Sequence, residues 1–159
     1  MKKTMLILAG IAALAPAAAL QARSAAPESI TYERGPCFGR CPVYTVTVRA
    51  DGTATFEGIN FTTVRGTRHF RVTPRQWRVF ATHLSRIRPA RGSIDYSGER
   101  CRSTATDMPS ATVTWAGWRG TQRLHFYYGC DMERNRGLGQ RLDAAPGLLP
   151  IGDYIGSRR

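Results

Sequence analysis

Four cysteines lie behind what reads as an export signal, and that combination limits the architecture more than any other feature of the chain. Lys2 and Lys3 form a basic start, Met5 to Leu14 is an apolar run, and Pro16 to Ala22 is a stretch of mainly small residues. That order is the pattern of a secretory signal peptide over residues 1–22, with cleavage expected after Ala22. The run is too short and too alanine-rich for a membrane span, which takes roughly 20 apolar residues. No cysteine follows it closely enough for a lipid anchor, and no later segment reaches spanning length. The remaining chain is therefore expected to be exported, periplasmic or secreted, where disulfides persist.

Several pairings are open to Cys37, Cys41, Cys101 and Cys130. The expected one joins Cys37 to Cys41 and Cys101 to Cys130. The first pair is local, in C-F-G-R-C, where Gly39 can take the tight turn that a short ring needs. The second closes a long loop. Chain entropy gives about 2 kcal/mol for the short ring and about 3.5 kcal/mol for the long one. Both are structural contributions to a small core. A redox-active dithiol at Cys37/Cys41 is the alternative, but its usual form is C-x-x-C at a helix start. Here the spacing is C-x-x-x-C, followed by Pro42 and a strand. A four-cysteine zinc site would want two close pairs, and Cys101 and Cys130 are not one.

At 159 residues the chain holds a single domain behind its signal. Residues 23–29 read as a short linker and 30–156 as the domain. Ile30 to Tyr32 is a short strand. Val43 to Arg49 alternates, with Tyr44, Val46 and Val48 on one face. Asp51-Gly52 is a hairpin turn, and Thr53 to Glu57 returns with Ala54 and Phe56 inward. Phe61–Val64 and His69–Val72 read as a further pair around Gly66. Thr73-Pro74-Arg75-Gln76 then opens a helix: an N-cap, a proline at the first position and a capping-box glutamine. Trp77, Phe80, Ala81, Leu84 and Ile87 recur at helical spacing on its inner face, and Pro89 ends it. Residues 90–110 read as a long loop. A second hairpin follows, with Ala111, Val113 and Trp115 inward, a turn at Gly117–Gly120, and Leu124, Phe126 and Tyr128 inward again. Asp131 is expected to cap a last helix around Asn135–Ala144, and the apolar tail Leu148–Ile155 is expected to dock. Strands, helix, strands, helix, with the strands in hairpins, predict an α+β fold: an antiparallel sheet and two helices, stabilised by disulfides.

The search for chemistry ends mostly in exclusions. His69, His83 and His125 show no metal-ligand spacing, no serine sits in G-x-S-x-G, and no phosphate-cradling loop is present. No catalytic residue, metal or cofactor is assigned. Asp107 is expected to accept hydrogen bonds from turn amides through its carboxylate. Among the aromatic residues Trp115, Trp118, Tyr127 and Tyr128, Trp118 is the binding candidate, because a hairpin turn exposes it. Charge is more informative. Lys+Arg number 23 against 11 Asp+Glu, a net +12. Removal of 1–22 takes both lysines and leaves 21 arginines and a charge of +10. Gly58 to Ile94 holds eight of those arginines and no acid. On the helix, Arg75, Arg78 and Arg86 fall on the side opposite Trp77 and Leu84. A GC-rich genome also supplies arginine, and a plain solvated basic face is the alternative to a binding one.

The segment Cys37-Phe38-Gly39-Arg40-Cys41-Pro42-Val43-Tyr44 resembles the C-F-G-x-C-P-x-Y hallmark of an uncharacterised bacterial family, a domain of unknown function. The flanking strand, the Asp51-Gly52 hairpin, the Phe56-Glu57-Gly58 stretch and Thr106-Asp107-Met108-Pro109-Ser110 are similar too, so the likeness spans roughly residues 30–128. Cys101, Cys130 and the C-terminal Ala145-Pro146-Gly147-Leu148-Leu149-Pro150-Ile151 resemble additions of one subgroup. The resemblance implies the fold and export and supplies no catalytic residue.

The resulting expectation is a non-catalytic exported domain. It would bind an anionic envelope component or an acidic protein through Arg75, Arg78 and Arg86, with Trp118 as a further contact. Nucleic acid is not an expected partner. The alternative is a thiol-redox protein or enzyme using the Cys37/Cys41 turn.

Overall fold

The computed structural model describes residues 27–118 and 120–156; the expected signal peptide lies outside the described residues. Ile30 and Tyr32 alternate inward on β1 (Ser29–Arg34), which starts at the last residue of the expected linker. Tyr44, Val46 and Val48 do the same on β2 (Val43–Arg49), and Ala54 and Phe56 on β3 (Thr53–Asn60). Gly52, at φ +84°, makes the β2–β3 turn; a Cβ there would lie 2.7 Å from the Val72 carbonyl oxygen. The Asp51 carboxylate accepts from the Thr53 hydroxyl (2.7 Å) and backbone N–H (2.8 Å), and these bonds hold it below the usual aspartate range. Strand β4 (Gly66–Arg71) runs back along the outer edge of β3.

The segment Phe61–Val64, expected as a strand, is instead a loop. Phe61 has φ +51°, which breaks the extended run. The Thr63 and Val64 amides donate not to a neighbouring strand but to the carbonyls of Ile155 (3.3 Å) and Tyr154 (3.0 Å). The tail docks as expected, and does so as a third short helix, α3 (Gly152–Ile155).

Helix α1 (Pro74–Ser85) begins as its sequence predicts. The Gln76 N–H donates to the Thr73 hydroxyl (3.2 Å), and the Thr73 N–H donates to the Gln76 side-chain carbonyl (2.8 Å). Phe80 and Leu84 are buried, with Trp77, Ala81 and Ile87 packed beside them. Residues 90–110 are not all loop. Within them β5 (Ser93–Tyr96) adds a short edge strand, parallel to β7, so the sheet is mixed rather than wholly antiparallel. Strands β6 (Ser110–Gly117) and β7 (Gly120–Tyr127) form the second hairpin. The second helix, α2 (Arg136–Ala144), follows Asn135 as its N-cap residue. The Asp131 carboxylate does not cap it. It accepts from the backbone N–H groups of Ser103 (2.9 Å) and Arg102 (3.2 Å), and so pins the loop that carries Cys101.

The described strands form one seven-stranded sheet, in the order β4-β3-β2-β1-β6-β7-β5. β1 sits between β2 and β6, antiparallel to both, and so welds the two hairpins together. The inward residues of the strands merge with Phe80, Leu84, Leu142 and Ile151 into one core. The opposite face is threonine-rich; Thr31 and Thr47 share a hydrogen bond across it at 3.0 Å. This is the expected α+β class, held by the expected disulfides, Cys37–Cys41 and Cys101–Cys130, with Cα separations of 5.8 and 5.2 Å. Among the described residues no helix is long and apolar enough to cross a membrane.

Candidate functional sites at the arginine face and the motif end

Arg75, Arg78 and Arg86 are all exposed, on the side of α1 turned away from the core. Thr82 and Val79 lie exposed between them, and Val79 keeps 45% of its surface in solvent. Among the described residues the salt bridges are Arg34–Asp143 and Arg136–Glu133, so no carboxylate pairs with the α1 arginines. Arg88, just beyond, points the other way. Its Nε donates to the buried Gln122 side chain at 2.9 Å, and burial lowers its pKa. Trp118 is 45% exposed in the β6–β7 turn, at the same end of the sheet as the Asp51-Gly52 turn. It belongs to a different element from the three arginines.

The cysteines are bonded, and the described residues hold no free thiol. Both bridges lie at the other end of the sheet, where β1 and β7 finish and β2 and β6 begin. Two segments singled out in the sequence meet there. The Phe38 N–H donates to the Asp107 carbonyl (3.2 Å), and the Gly35 N–H donates to the Ser110 carbonyl (2.9 Å). Asp107 therefore acts through its backbone, at φ +67°, while its exposed carboxylate accepts only from the Thr106 hydroxyl (3.2 Å) among the described residues. Phe38, at 86% exposure, projects from the ring.

The histidines are apart. His83 Nε2 donates to the Arg141 carbonyl (2.8 Å), His125 shares a hydrogen bond with Thr112 (2.9 Å), and His69 shares one with Thr55 (3.2 Å). Among the described residues no group of three or more His, Cys, Asp or Glu side chains is placed to hold a metal.

The same end carries a site that the sequence reading missed. A cleft of about 1310 Å³ opens between the ends of β1 and β2, the 61–65 loop and the C-terminal segment. Tyr32, Arg34, Arg40, Arg65 and Asp143 line it. Arg34 continues the inward alternation of Ile30 and Tyr32, so a guanidinium occupies a core-facing position. Its Nη1 donates to Asp143 Oδ1 at 2.8 Å, and its Cζ sits 4.3 Å from the centre of the Tyr128 ring. Burial opposes the charge on Arg34, but Tyr128, Tyr32 and Asp143 together outweigh it and hold the pKa above its ordinary value. Burial pushes the phenols of Tyr32 and Tyr128 up as well, so both are neutral donors at physiological pH. The one available signal was the I-x-Y-x-R alternation, which places a charge where a third apolar residue belongs.

Searches of curated proteins and of solved structures returned no match. Residues 28–145, from the start of β1 to the end of α2, match a domain of unknown function, DUF6438. α3 and its contacts with the 61–65 loop lie beyond that span. The likeness to an uncharacterised domain family thus holds, and the chain belongs to the DUF6438 family.

Proposed function

We propose that the chain is a non-catalytic exported module that binds an anionic envelope component through the arginine face of α1. The supporting observation is that Arg75, Arg78 and Arg86 stand exposed on one helix side without a carboxylate partner among the described residues, within a stretch that has no acid from Gly58 to Ile94. Unpaired arginines raise the local positive potential and draw anions toward the surface. A planar guanidinium then grips phosphate or carboxylate with two parallel hydrogen bonds. The exposed Val79 adds an apolar contact between the charges. The two disulfides fit an oxidising compartment, which agrees with the expected signal peptide.

Co-sedimentation with lipid vesicles tests this reading. The secreted protein, with an intact mass lacking residues 1–22, should bind phosphatidylcholine vesicles only when they contain phosphatidylglycerol. Binding should fade steeply between about 50 and 500 mM salt, as the screening length shortens. The triple variant R75E/R78E/R86E should lose binding and keep its thermal midpoint, because the three side chains face solvent. Undiminished binding by that variant would remove α1 from the function. Capture of polyglutamate but not of vesicles would move the ligand to an acidic polypeptide.

A further inference from the structure

We propose that the cleft at the motif end is a second binding site, which takes the carboxylate of a small organic acid between the free donors of Arg34 and the hydroxyl of Tyr32. The site shares no residue with the α1 face, so either assignment can fail without the other.

The case begins with the cost of the arrangement. A charge in a core-facing position is unfavourable unless it is paired and hydrogen-bonded. The Arg34 side chain keeps only 14% of its surface, yet its guanidinium makes a single hydrogen bond among the described residues, to Asp143. A guanidinium carries five N–H donors in a fixed plane. Asp143 occupies one edge, Tyr128 covers one face, and the remaining donors are left for the cleft.

Tyr32 supplies the second, independent observation. It is 1% exposed, it lines the cleft, and its hydroxyl has no hydrogen-bond partner among the described residues. The Tyr128 hydroxyl is buried and unpartnered in the same way. Arg34 and Tyr128 lie near enough to the Tyr32 hydroxyl, and Asp143 near enough to that of Tyr128, to interact with them, but none of these contacts closes into a hydrogen bond of normal geometry. Buried hydroxyls are nearly always hydrogen-bonded. Two unsatisfied ones beside a half-used guanidinium leave more donors than the Asp143 carboxylate engages, and a ligand oxygen pair would take the surplus.

The charge balance selects the class of ligand. Asp143 already offsets much of Arg34, so the inner part of the site suits a single negative charge rather than a dianion. Arg40 and Arg65 stand exposed at the rim and favour entry of an anion. A carboxylate matches the planar fork of Arg34 and can take the Tyr32 hydroxyl on its second oxygen. The volume of the cleft, about 1310 Å³, leaves room for the body of the acid.

Titration of the isotope-labelled exported protein, followed by NMR, tests the site. Acetate, benzoate and N-acetyl-phenylalanine are the probes; their neutral amides and inorganic phosphate are the controls. Saturable shifts of the Arg34 Nε–H and the Gly35 amide are expected with at least one acid and not with its amide. Y32F removes one hydroxyl and no packing. It should weaken that acid about tenfold, the typical loss for a hydrogen bond to a charged group, while the melting temperature stays level or rises. Three results would overturn the proposal: no saturable shift with any acid, equal shifts with acid and amide or a preference for phosphate, and a Y32F protein that melts lower but binds unchanged.

Discussion

At one end of the sheet the β2–β3 turn is made by Asp51 and Gly52, neighbours in the chain. At the other end Arg34 meets Asp143, 109 residues away, and Cys101 meets Cys130 across 29. The first end is written in local chemistry: a turn glycine, a carboxylate on the next amide, a capping box two residues beyond β4. The second is assembled from four separate segments, and there the hydroxyls of Tyr32 and Tyr128 stay buried without partners beside a buried charge. A local code can complete itself from its own residues. An end built from distant segments depends on tethers, and it can keep donors aimed at a cleft because the tethers hold the frame.

The tethers give the largest expected effect. Replacing Cys101 and Cys130 together by alanine should lower stability by about 3.5 kcal/mol, the entropy of freeing a loop of that length. Opening the Cys37–Cys41 ring the same way should cost only about 2 kcal/mol. Denaturant melts give both numbers, and hydrogen exchange locates the damage. The Ala105 and Asp131 amides, bonded to the Gly129 and Ser103 carbonyls, should lose protection first in the long-loop variant. Equal losses of protection at the Asp51–Thr53 turn would mean that the two ends are not separately held.

The same contrast explains what could be read from the sequence. α1 was legible because Thr73, Pro74 and Gln76 sit within four residues and the apolar stripe repeats behind them. The first hairpin was legible from Asp51-Gly52 and strict alternation. β5 was not, since Ser93-Ile94-Asp95-Tyr96 is four residues long, half polar, and a strand only because β7 lies alongside in parallel. Phe61–Val64 looked like a strand because its composition is β-forming. Its conformation is decided by α3, some ninety residues on, whose carbonyls take its amides. The three arginines of α1 were placed correctly on the solvent side by periodicity alone. Arg34 escaped because the I-x-Y-x-R alternation only sets a charge on the inward face; Tyr128 and Asp143, which make its burial tolerable, meet it only once the sheet has formed. Asp131 was misread for a related reason. An aspartate ahead of a helix is a common cap, but the Cys101–Cys130 bridge brings the Ser103 and Arg102 amides within its reach instead.

The local end should answer to a smaller, self-contained change. Thr73→Ala removes the hydroxyl that receives the Gln76 amide and should cost about 1 kcal/mol. The loss should be the same with the Cys101–Cys130 bridge intact or replaced, because the cap shares no partner with the motif end and distant sites add. A double-mutant cycle measures this. A coupling as large as the cap itself would show that α1 feels the tethered end, and the division into two ends would have to be redrawn.

Asp131 gives the smallest effect and the one with a pH signature. The Ser103 amide, then the Arg102 amide, stabilise its ionised form and hold its pKa below the ordinary aspartate value. A carboxylate depressed in the folded state contributes stability above its unfolded pKa and loses it as pH falls through the folded one. Exchange protection at Ser103 should therefore be higher in the wild type than in D131N at neutral pH. The two should converge only as the pH falls below that depressed folded value, where the carboxylate is protonated in either state. The effect belongs to one loop, so the thermal midpoint should move less than for Thr73→Ala. If protection at Ser103 is independent of pH in the wild type, the disulfide and the backbone bonds of Ala105 and Asp131 hold that loop without the carboxylate. The motif end would then rest on its covalent bridges, on those backbone bonds and on the Arg34–Asp143 pair, with no help from the Asp131 carboxylate.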